Sequence, residues 1–211
     1  MRKKGRIAIT ICCIMFALGL LTYFLVPKGT VTTSSALYPY YTRAELTDIS
    51  DLIVEVKVEK IADSFYANPD FKLGEEISNV IVTDTSARIE TVYKGDASSG
   101  DLITIRKEGG RVGNEEYISE EVPNFQVGDR MIIFLSFPRG GEKSEIVSYD
   151  YYGFHPIQGV YFPIDGAEGG ETFKAYGTDE TLNSSTLQEE IDALLNTEKS
   201  EKSEKTEETE E

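Results

Sequence analysis

The only histidine of the chain is the one side chain that could activate a nucleophile through an imidazole. His155 lies in the segment YDYYGFHPIQG, and any nucleophile activated by an imidazole would have to use it. Ser148 and Asp150 are close in sequence, but the strained G-x-S-x-G turn of a catalytic serine is absent. We therefore interpret His155 as a structural histidine in an aromatic-rich loop or strand end.

The acidic residues and cysteines give no clear catalytic or metal-binding pattern. With 37 Asp and Glu residues among 211, pairs of carboxylates will occur by chance, and no tryptophan is present to serve as a sugar platform. One histidine and no cysteine after Cys13 leave no zinc site of the usual type. Asp165, Gly166 and Glu168 favour a hairpin turn over a calcium loop. We predict no catalytic residue, no metal and no cofactor.

An aromatic-rich segment near residue 155 is the strongest candidate for a recognition surface. Aromatic rings can line a shallow groove for a peptide or a glycan. Alternation along strands would instead turn half of them into the core. The candidate binding residues, called the aromatic segment below, are Tyr149, Tyr151, Tyr152, Phe154, His155 and Tyr161, with Phe162 beside them.

The charge is divided unequally along the chain. The formal net charge is -16, yet residues 1–28 hold five basic residues and no acid, so the other 183 residues carry -21. Affinity for nucleic acid comes from Lys and Arg that displace the counterions of phosphates. An acidic body of this kind excludes nucleic acid as a partner.

A hydrophobic segment near the amino terminus predicts a membrane anchor. Residues 7–26 are 20 consecutive residues without a charge, which as a helix would span about 30 Å, the thickness of a bilayer core. Basic residues precede them, so the positive-inside rule places residues 1–6 in the cytoplasm and the body outside. We predict an uncleaved single-pass signal anchor in the cell membrane. A cleaved signal peptide, which would leave a secreted protein, stays open.

Beyond the anchor, the pattern predicts one domain between two polar segments. Residues 27–41 are interpreted as a tether, and residues 197–211, which have seven Glu and three Lys, as a disordered acidic tail. The domain, residues 42–196, begins with a capping box at Thr42 and Glu45 that starts a short helix. A second amphipathic helix is predicted over residues 186–196.

Strand patterns fill the region between these two helices. Residues 51–61 alternate with period two, which predicts a strand with one buried face. Residues 78–93 are long for one strand, and their apolar phase changes between Val82 and Ala87, which predicts a bulge there. Residues 125–137 are the most apolar and predict a central strand. Further strands are predicted at residues 102–108, 117–122, 145–152, 159–164 and 172–176.

Four motifs within this domain carry a resemblance. They are SDLIVEVKVEKI, RIETVYKGD, GDLITIRKEGG and FQVGDRMIIFL, within residues 43–137. Their succession resembles uncharacterised bacterial membrane-anchored extracytoplasmic proteins with an OB-type β-barrel module like that of netrins and tissue inhibitors of metalloproteinases (TIMPs). The inhibitors place an N-terminal cysteine on the zinc of their target, and this body has no cysteine. That mechanism and its residues therefore do not carry over.

The resemblance and the patterns together predict a fold class. It is mainly β, an OB-like closed or partly open β-barrel with added C-terminal strands, one short N-terminal helix and one C-terminal helix, preceded by a single transmembrane helix. The favoured function is that of a membrane-anchored extracytoplasmic module that binds a protein or a cell-wall component without catalysis. A carboxylate-based hydrolase and an assembly factor of a membrane complex stay open as alternatives.

Overall fold

The computed structural model describes residues 15, 29–68, 80–137, 151–164 and 171–207, with no side chains described after residue 197. Within these residues the chain is mainly β, as predicted. The helices are α1 (Arg43–Ile49) and α2 (Leu187–Glu207). The strands are β1 (Thr30–Ser34), β2 (Leu52–Ile61), β3 (Phe65–Tyr66), β4 (Ile81–Lys94), β5 (Leu102–Glu108), β6 (Gly110–Val112), β7 (Glu115–Ser119), β8 (Arg130–Ser136), β9 (Gly153–Phe154), β10 (Val160–Pro163), β11 (Thr172–Ala175) and β12 (Thr181–Asn183).

The predicted anchor, residues 7–26, lies outside the described residues apart from Met15. In the part of the chain that is described, neither helix has the length and apolar character needed to cross a bilayer.

The larger sheet has nine strands and places the most apolar strands at its centre. Its main order is β12-β11-β10-β8-β2-β4-β3, while β5 also pairs with β4 and β9 pairs with β8. The strand predicted to be central is β8, which pairs with both β2 and β10. An isolated parallel bridge joins Ile105 of β5 to Tyr152, just before β9. Most of the predicted strand at residues 145–152 lies outside the described residues.

Both faces of β2 and β8 are buried, which corrects the prediction of one buried face for residues 51–61. The first core lies on the face of β2 that carries Leu52, Val54, Val56 and Val58. The second core lies on the opposite face, where Ile53 packs with residues of β8, β10, β11, α1 and α2. The sequence alternates because this second face carries one buried acid and two exposed charges. The face is nonetheless buried, because the helices cover it.

The pairing of the long strand β4 with β2 is irregular at three places, and one of them, opposite Ser86 and Ala87, lies in the interval where a bulge was predicted. Residues Ile81, Thr83, Thr85, Ala87 and Ile89 are all buried, so the alternation continues without a phase change. Val82 is also buried and pairs with Phe65 of β3, which explains its apolar character. The register between β2 and β4 shifts between Ile53 and Val54, between Glu55 and Val56, and between Val58 and Lys60. These bulges lie mostly toward the carboxyl end of β4.

The turn after β4 holds the carboxyl end of α1. The Lys94 ammonium donates to the carbonyl oxygens of Thr47 at 2.6 Å and Ser50 at 2.7 Å, which satisfies groups that a helix end leaves without partners. At the other end of α1, the predicted capping box is confirmed, with Glu45 N–H donating to Thr42 Oγ1 and Thr42 N–H donating to Glu45. The bonds that the Glu45 carboxylate accepts from the Thr42 N–H and hydroxyl hold the pKa of Glu45 below its usual range.

The segment predicted to be a tether contains a strand. Residues Thr30–Ser34 form β1, which pairs in parallel with β7, and β7 pairs antiparallel with β6. The hairpin between β6 and β7 has a two-residue turn, Gly113 and Asn114, because Val112 pairs with Glu115. The small polar residues of β1 bury little surface, so its place depends on the backbone ladder rather than on a core.

At the carboxyl end, helix α2 continues to Glu207, beyond residue 196 where the predicted helix ended. Disorder was predicted for this acidic segment because it has no apolar residue. Glu and Lys are nonetheless good helix formers, and Glu198 and Glu201 each precede a lysine by four residues, a spacing that supports helices. Residues 208–211 lie outside the described residues.

Candidate functional site

The residues of the aromatic segment do not form one surface. Tyr149 lies outside the described residues. Tyr161 is fully buried in the second core, where its hydroxyl donates to Glu180 at 3.1 Å and its ring packs on Phe134. Burial raises the pKa of Tyr161 well above its ordinary value. Tyr161 is therefore a core residue and not a contact for a partner, which corrects its predicted role.

Tyr152 and Phe154 pack against the first core. The ring of Tyr152 lies 4.5 Å from that of Phe137, and the ring of Phe154 lies 5.6 Å from that of Phe125. Both side chains are half-buried, as is Phe162. These three rings therefore lie at the edge of the core. Alternation along the strands favoured this core role over a binding groove.

Tyr151 stacks on an arginine of the neighbouring strand. Its ring centroid lies 3.6 Å from the guanidinium carbon of Arg106, and Phe65 lies against the same group at 4.9 Å. Arg106 also makes a two-point contact with Asp84, with Nε–Oδ1 at 2.6 Å and Nη2–Oδ2 at 2.8 Å. A guanidinium held by a carboxylate and two rings is positioned rigidly, so this cluster joins β3, β4 and β5.

His155 fastens residues 38–41 to the corner between β9 and β10. Its Nδ1 accepts the N–H of Gln158 at 3.2 Å, and its Nε2 lies 3.0 Å from the carbonyl oxygen of Pro39. A carbonyl oxygen only accepts, so this geometry places the proton of a neutral imidazole on Nε2. The rings of Tyr38 and Tyr41 meet the imidazole edge-on, each at 5.5 Å.

The side chain of Gln158 completes this attachment. Its amide nitrogen donates to the Tyr41 carbonyl at 2.7 Å, and its amide oxygen accepts the Tyr41 N–H at 2.9 Å. Gln158 is 1% exposed, so both bonds are shielded from water. The end of the predicted tether is therefore a fixed part of the domain.

Acidification should weaken the attachment at His155. Burial holds the pKa of His155 below its ordinary value, so the folded state binds this proton less readily than the unfolded state. The stabilisation is fully present above the unfolded pKa, about 6.5, and is lost as pH falls from there through the folded pKa. Protonated Nδ1 cannot accept from Gln158, so we expect a loss of about 1 kcal/mol, measured by urea unfolding at pH 7.5 and pH 5.5. An equal pH effect in a His155→Asn variant would contradict this prediction.

An open cleft of about 220 Å³ lies between the three-stranded sheet and the beginning of β4. It brings together two carboxylates, two tyrosines and two threonines, and it has no basic side chain among its lining residues. The lining residues are Thr30, Thr32, Tyr66, Val80, Ile81, Glu115, Glu116 and Tyr117.

Hydrogen bonds inside the cleft fix its two tyrosines. Tyr66 donates its hydroxyl proton to Glu115 at 2.5 Å, and this bond raises the pKa of Tyr66. The hydroxyl of Tyr117 lies 2.7 Å from Ser34 Oγ at the end of β1. The cleft walls are thereby held in place before any ligand binds.

Strand β1 forms an open edge beside this cleft. Thr30 N–H donates to the Asn114 carbonyl at 3.0 Å, and the Ser34 carbonyl accepts from Glu120 N–H at 3.2 Å. Alternate residues face the neighbour in a parallel ladder, so the peptide groups of Val31 and Thr33 face away from β7. Since β1 ends the order β1-β7-β6, these groups have no strand partner in the described chain.

Among the described residues, the most deeply buried carboxylate belongs to a separate cluster. The Glu55 side chain is 4% exposed, and one of its oxygens contacts Arg130 Nε. Its other oxygen accepts from the Tyr93 hydroxyl at 3.2 Å, and Arg130 also lies 3.3 Å from Glu90. None of these residues lines the cleft. Both oxygens of Glu55 have protein partners, so the cluster joins β2, β4 and β8 rather than facing a ligand.

The cleft was not predicted from the sequence, although two local patterns indicated elements that form it. Residues 30–34 read TVTTS, a run rich in β-branched residues, and Gly113 with Asn114 is a typical two-residue hairpin turn. Across the part of the chain that is described, no group of three or more His, Cys, Asp or Glu side chains is arranged to hold a metal ion.

No protein-family model matches this chain, and no curated protein matches it.

Proposed function

We propose that the chain is a membrane-anchored extracytoplasmic module that binds an extended segment of a partner protein along β1. The observation that carries this proposal is the open edge of β1 beside the acidic cleft. Extended peptides bind to such edges by adding a strand, with the neighbouring pockets giving specificity. The anchor is supported by residues 7–26, which are uncharged and follow four basic residues.

The charge of the cleft favours a basic partner segment. Glu115 and Glu116 line the cleft, and residues 29–211 carry a formal charge of -21. A partner segment with Lys or Arg would meet carboxylates there, and complementary charge raises the rate of association and selects among partners. The tyrosines offer flat surfaces that pack against the stems of such side chains.

An OB-like arrangement of the strands belongs to the same proposal. It is supported by a series of pairings, in which β2 pairs with β4 and β8, β4 pairs with β5, and β8 pairs with β9. An isolated bridge also links Ile105 of β5 to Tyr152, just before β9. The first core lies among these five strands, and proteins with OB-like folds commonly bind extended ligands across an open face.

Photo-crosslinking tests this proposal with a matched pair of positions. Val31 is 60% exposed at the open edge, and Val127 is 65% exposed in the turn before β8. A photoreactive amino acid is placed at either position of the full-length chain, in membranes of the cells that produce it. We expect the Val31 variant to give a discrete crosslinked protein, at least five-fold more abundant than with the Val127 variant.

A second variant checks the role of the cleft charge. Replacing Glu115 and Glu116 with glutamine in the Val31 crosslinking variant should reduce the product several-fold, because the carboxylates attract the basic segment. Equal products from Val31 and Val127 would contradict the edge as the binding surface. A product that is unaffected by the two glutamines would contradict the basic character of the partner.

A further inference from the structure

We infer that the end of the domain formed by the turn at Gly113 and Asn114, with the cleft beside it, faces the lipid surface. This inference rests on the proposed anchor at residues 7–26 and adds an orientation to it. The observation behind it is that β1 begins almost immediately after the anchor and is paired to a fixed part of the domain.

The length of chain between the anchor and β1 sets the distance. Only three residues, 27–29, separate Val26 from Thr30. Four residue steps span at most about 14 Å even when fully extended. Thr30 must therefore lie within about 14 Å of the outer boundary of the bilayer core. The headgroup region is about 5–8 Å deep on each side, so Thr30 lies in it or within about 9 Å above it.

The pairing of β1 transmits this constraint to the domain. The Thr30 N–H bonds to the Asn114 carbonyl, and five consecutive residue pairs join β1 to β7. A flexible tether would let the domain turn in any direction. A paired strand instead keeps the turn at Gly113 and Asn114 beside the point where the chain leaves the membrane.

Electrostatic attraction does not explain this orientation. The charged residues next to the turn are Arg111, Glu115 and Glu116, so acids outnumber bases there. Acidic groups are repelled by anionic lipids, which give membranes a negative surface potential. The short segment between the anchor and β1 must therefore hold this face near the membrane. An attraction between the face and the headgroups does not.

The opposite end of the domain provides a control position. Ile81 at the start of β4 lines the cleft, and β4 continues for 14 residues to Lys94. At about 3.3 Å per residue this distance is on the order of 40 Å. The exposed loop after β4, which contains Ser98, folds back along this strand, and Ser99 Oγ donates to the Glu90 carbonyl at 2.8 Å. Ser98 therefore lies beside a part of β4 that is nine residues, about 30 Å along the strand, from Ile81 at the cleft.

The test measures how close each end lies to lipid. The full-length chain with Cys12→Ala and Cys13→Ala is given one new cysteine, by Asn114→Cys or Ser98→Cys, and a fluorophore is attached. Each protein is placed in phosphatidylcholine vesicles that contain a headgroup spin label. We expect the fluorophore at position 114 to be quenched at least three-fold more than the one at position 98.

Vesicle flotation and an insertion variant separate the possible outcomes. If the chain does not float with vesicles, the anchor is wrong and the inference is overturned with it. If it floats but both positions are quenched equally, the orientation alone is overturned. Inserting twelve Gly and Ser residues after Lys28 adds a flexible span of about 20 Å and should reduce quenching at position 114 to that at position 98. If quenching at position 114 stayed unchanged in the insertion variant, the short segment before β1 would not be the cause of the orientation.

Discussion

Replacing Arg130 with methionine should lower the free energy of unfolding by about 3 kcal/mol. The variant leaves the Glu55 carboxylate, whose side chain is 4% exposed, with the Tyr93 hydroxyl as its remaining partner in the cluster. A buried charge that loses its counterion costs about 3–5 kcal/mol, more than the intact pair contributes. Arg130 itself is 40% exposed, which places the expected value at the low end of that range.

A double variant distinguishes a stranded charge from lost packing. Changing Glu55→Met together with Arg130→Met removes both charges and should be less destabilising than Arg130→Met alone by at least 1 kcal/mol. The Tyr93 hydroxyl then loses its acceptor, which costs about 1 kcal/mol and prevents full recovery. Urea unfolding of a chain that starts at Gly29, followed by tyrosine fluorescence, measures both values. If the double variant lost as much free energy of unfolding as the Glu55→Met and Arg130→Met variants lose together, the pair would not be desolvated.

Replacing Gly95 with alanine should destabilise the domain by about 3 kcal/mol or more. Gly95 has φ of +103°, and an added Cβ would lie 2.5 Å from the Asp51 carbonyl oxygen and 2.9 Å from the Leu52 side chain. The positive φ alone costs an L-residue about 1–2 kcal/mol, and displacing backbone atoms adds a comparable amount. The turn also positions Lys94 at the end of α1, so strain here reaches the helix.

Gly100 provides the control for this substitution. It has φ of +94°, and no atom lies within 4 Å of the position an added Cβ would take. Gly100→Ala should therefore cost only about 1–2 kcal/mol, the conformational part of the effect. Equal destabilisation by the two variants, in the same urea measurement, would show that the close approach to Asp51 is absent in solution.

The parts of the fold that could be predicted are those specified by residues close together in the sequence. The capping box of Thr42 and Glu45 and the apolar run of β8 each depend on residues within one element. The second buried face of β2 could not be predicted, because Ile53 packs in a core with α1 and α2, whose positions depend on the whole fold, and Glu55 is held by side chains of β4 and β8. A strand with alternating charges looks half-exposed until its neighbours are known.

The candidate site was predictable only in part, for a similar reason. The aromatic residues near His155 are a group in the sequence, yet the sequence does not say that Tyr161 points into the second core while His155 contacts residues 38–41. The cleft depends on pairing between Thr30 and Glu115, which lie 85 positions apart. No local pattern specifies such a pairing, although TVTTS indicates a strand.

The same separation has a consequence for how the domain folds. Strand β1 is made before the other described strands, but its partner β7 is completed about 85 residues later. At about 5–20 residues per second, ribosomes would need roughly 4–17 s to supply that partner. Closing so long a loop is also slow, because its entropy is lost before the pairing stabilises it. β1 therefore waits unpaired until β7 has been synthesised, and during that interval it remains exposed to neighbouring chains.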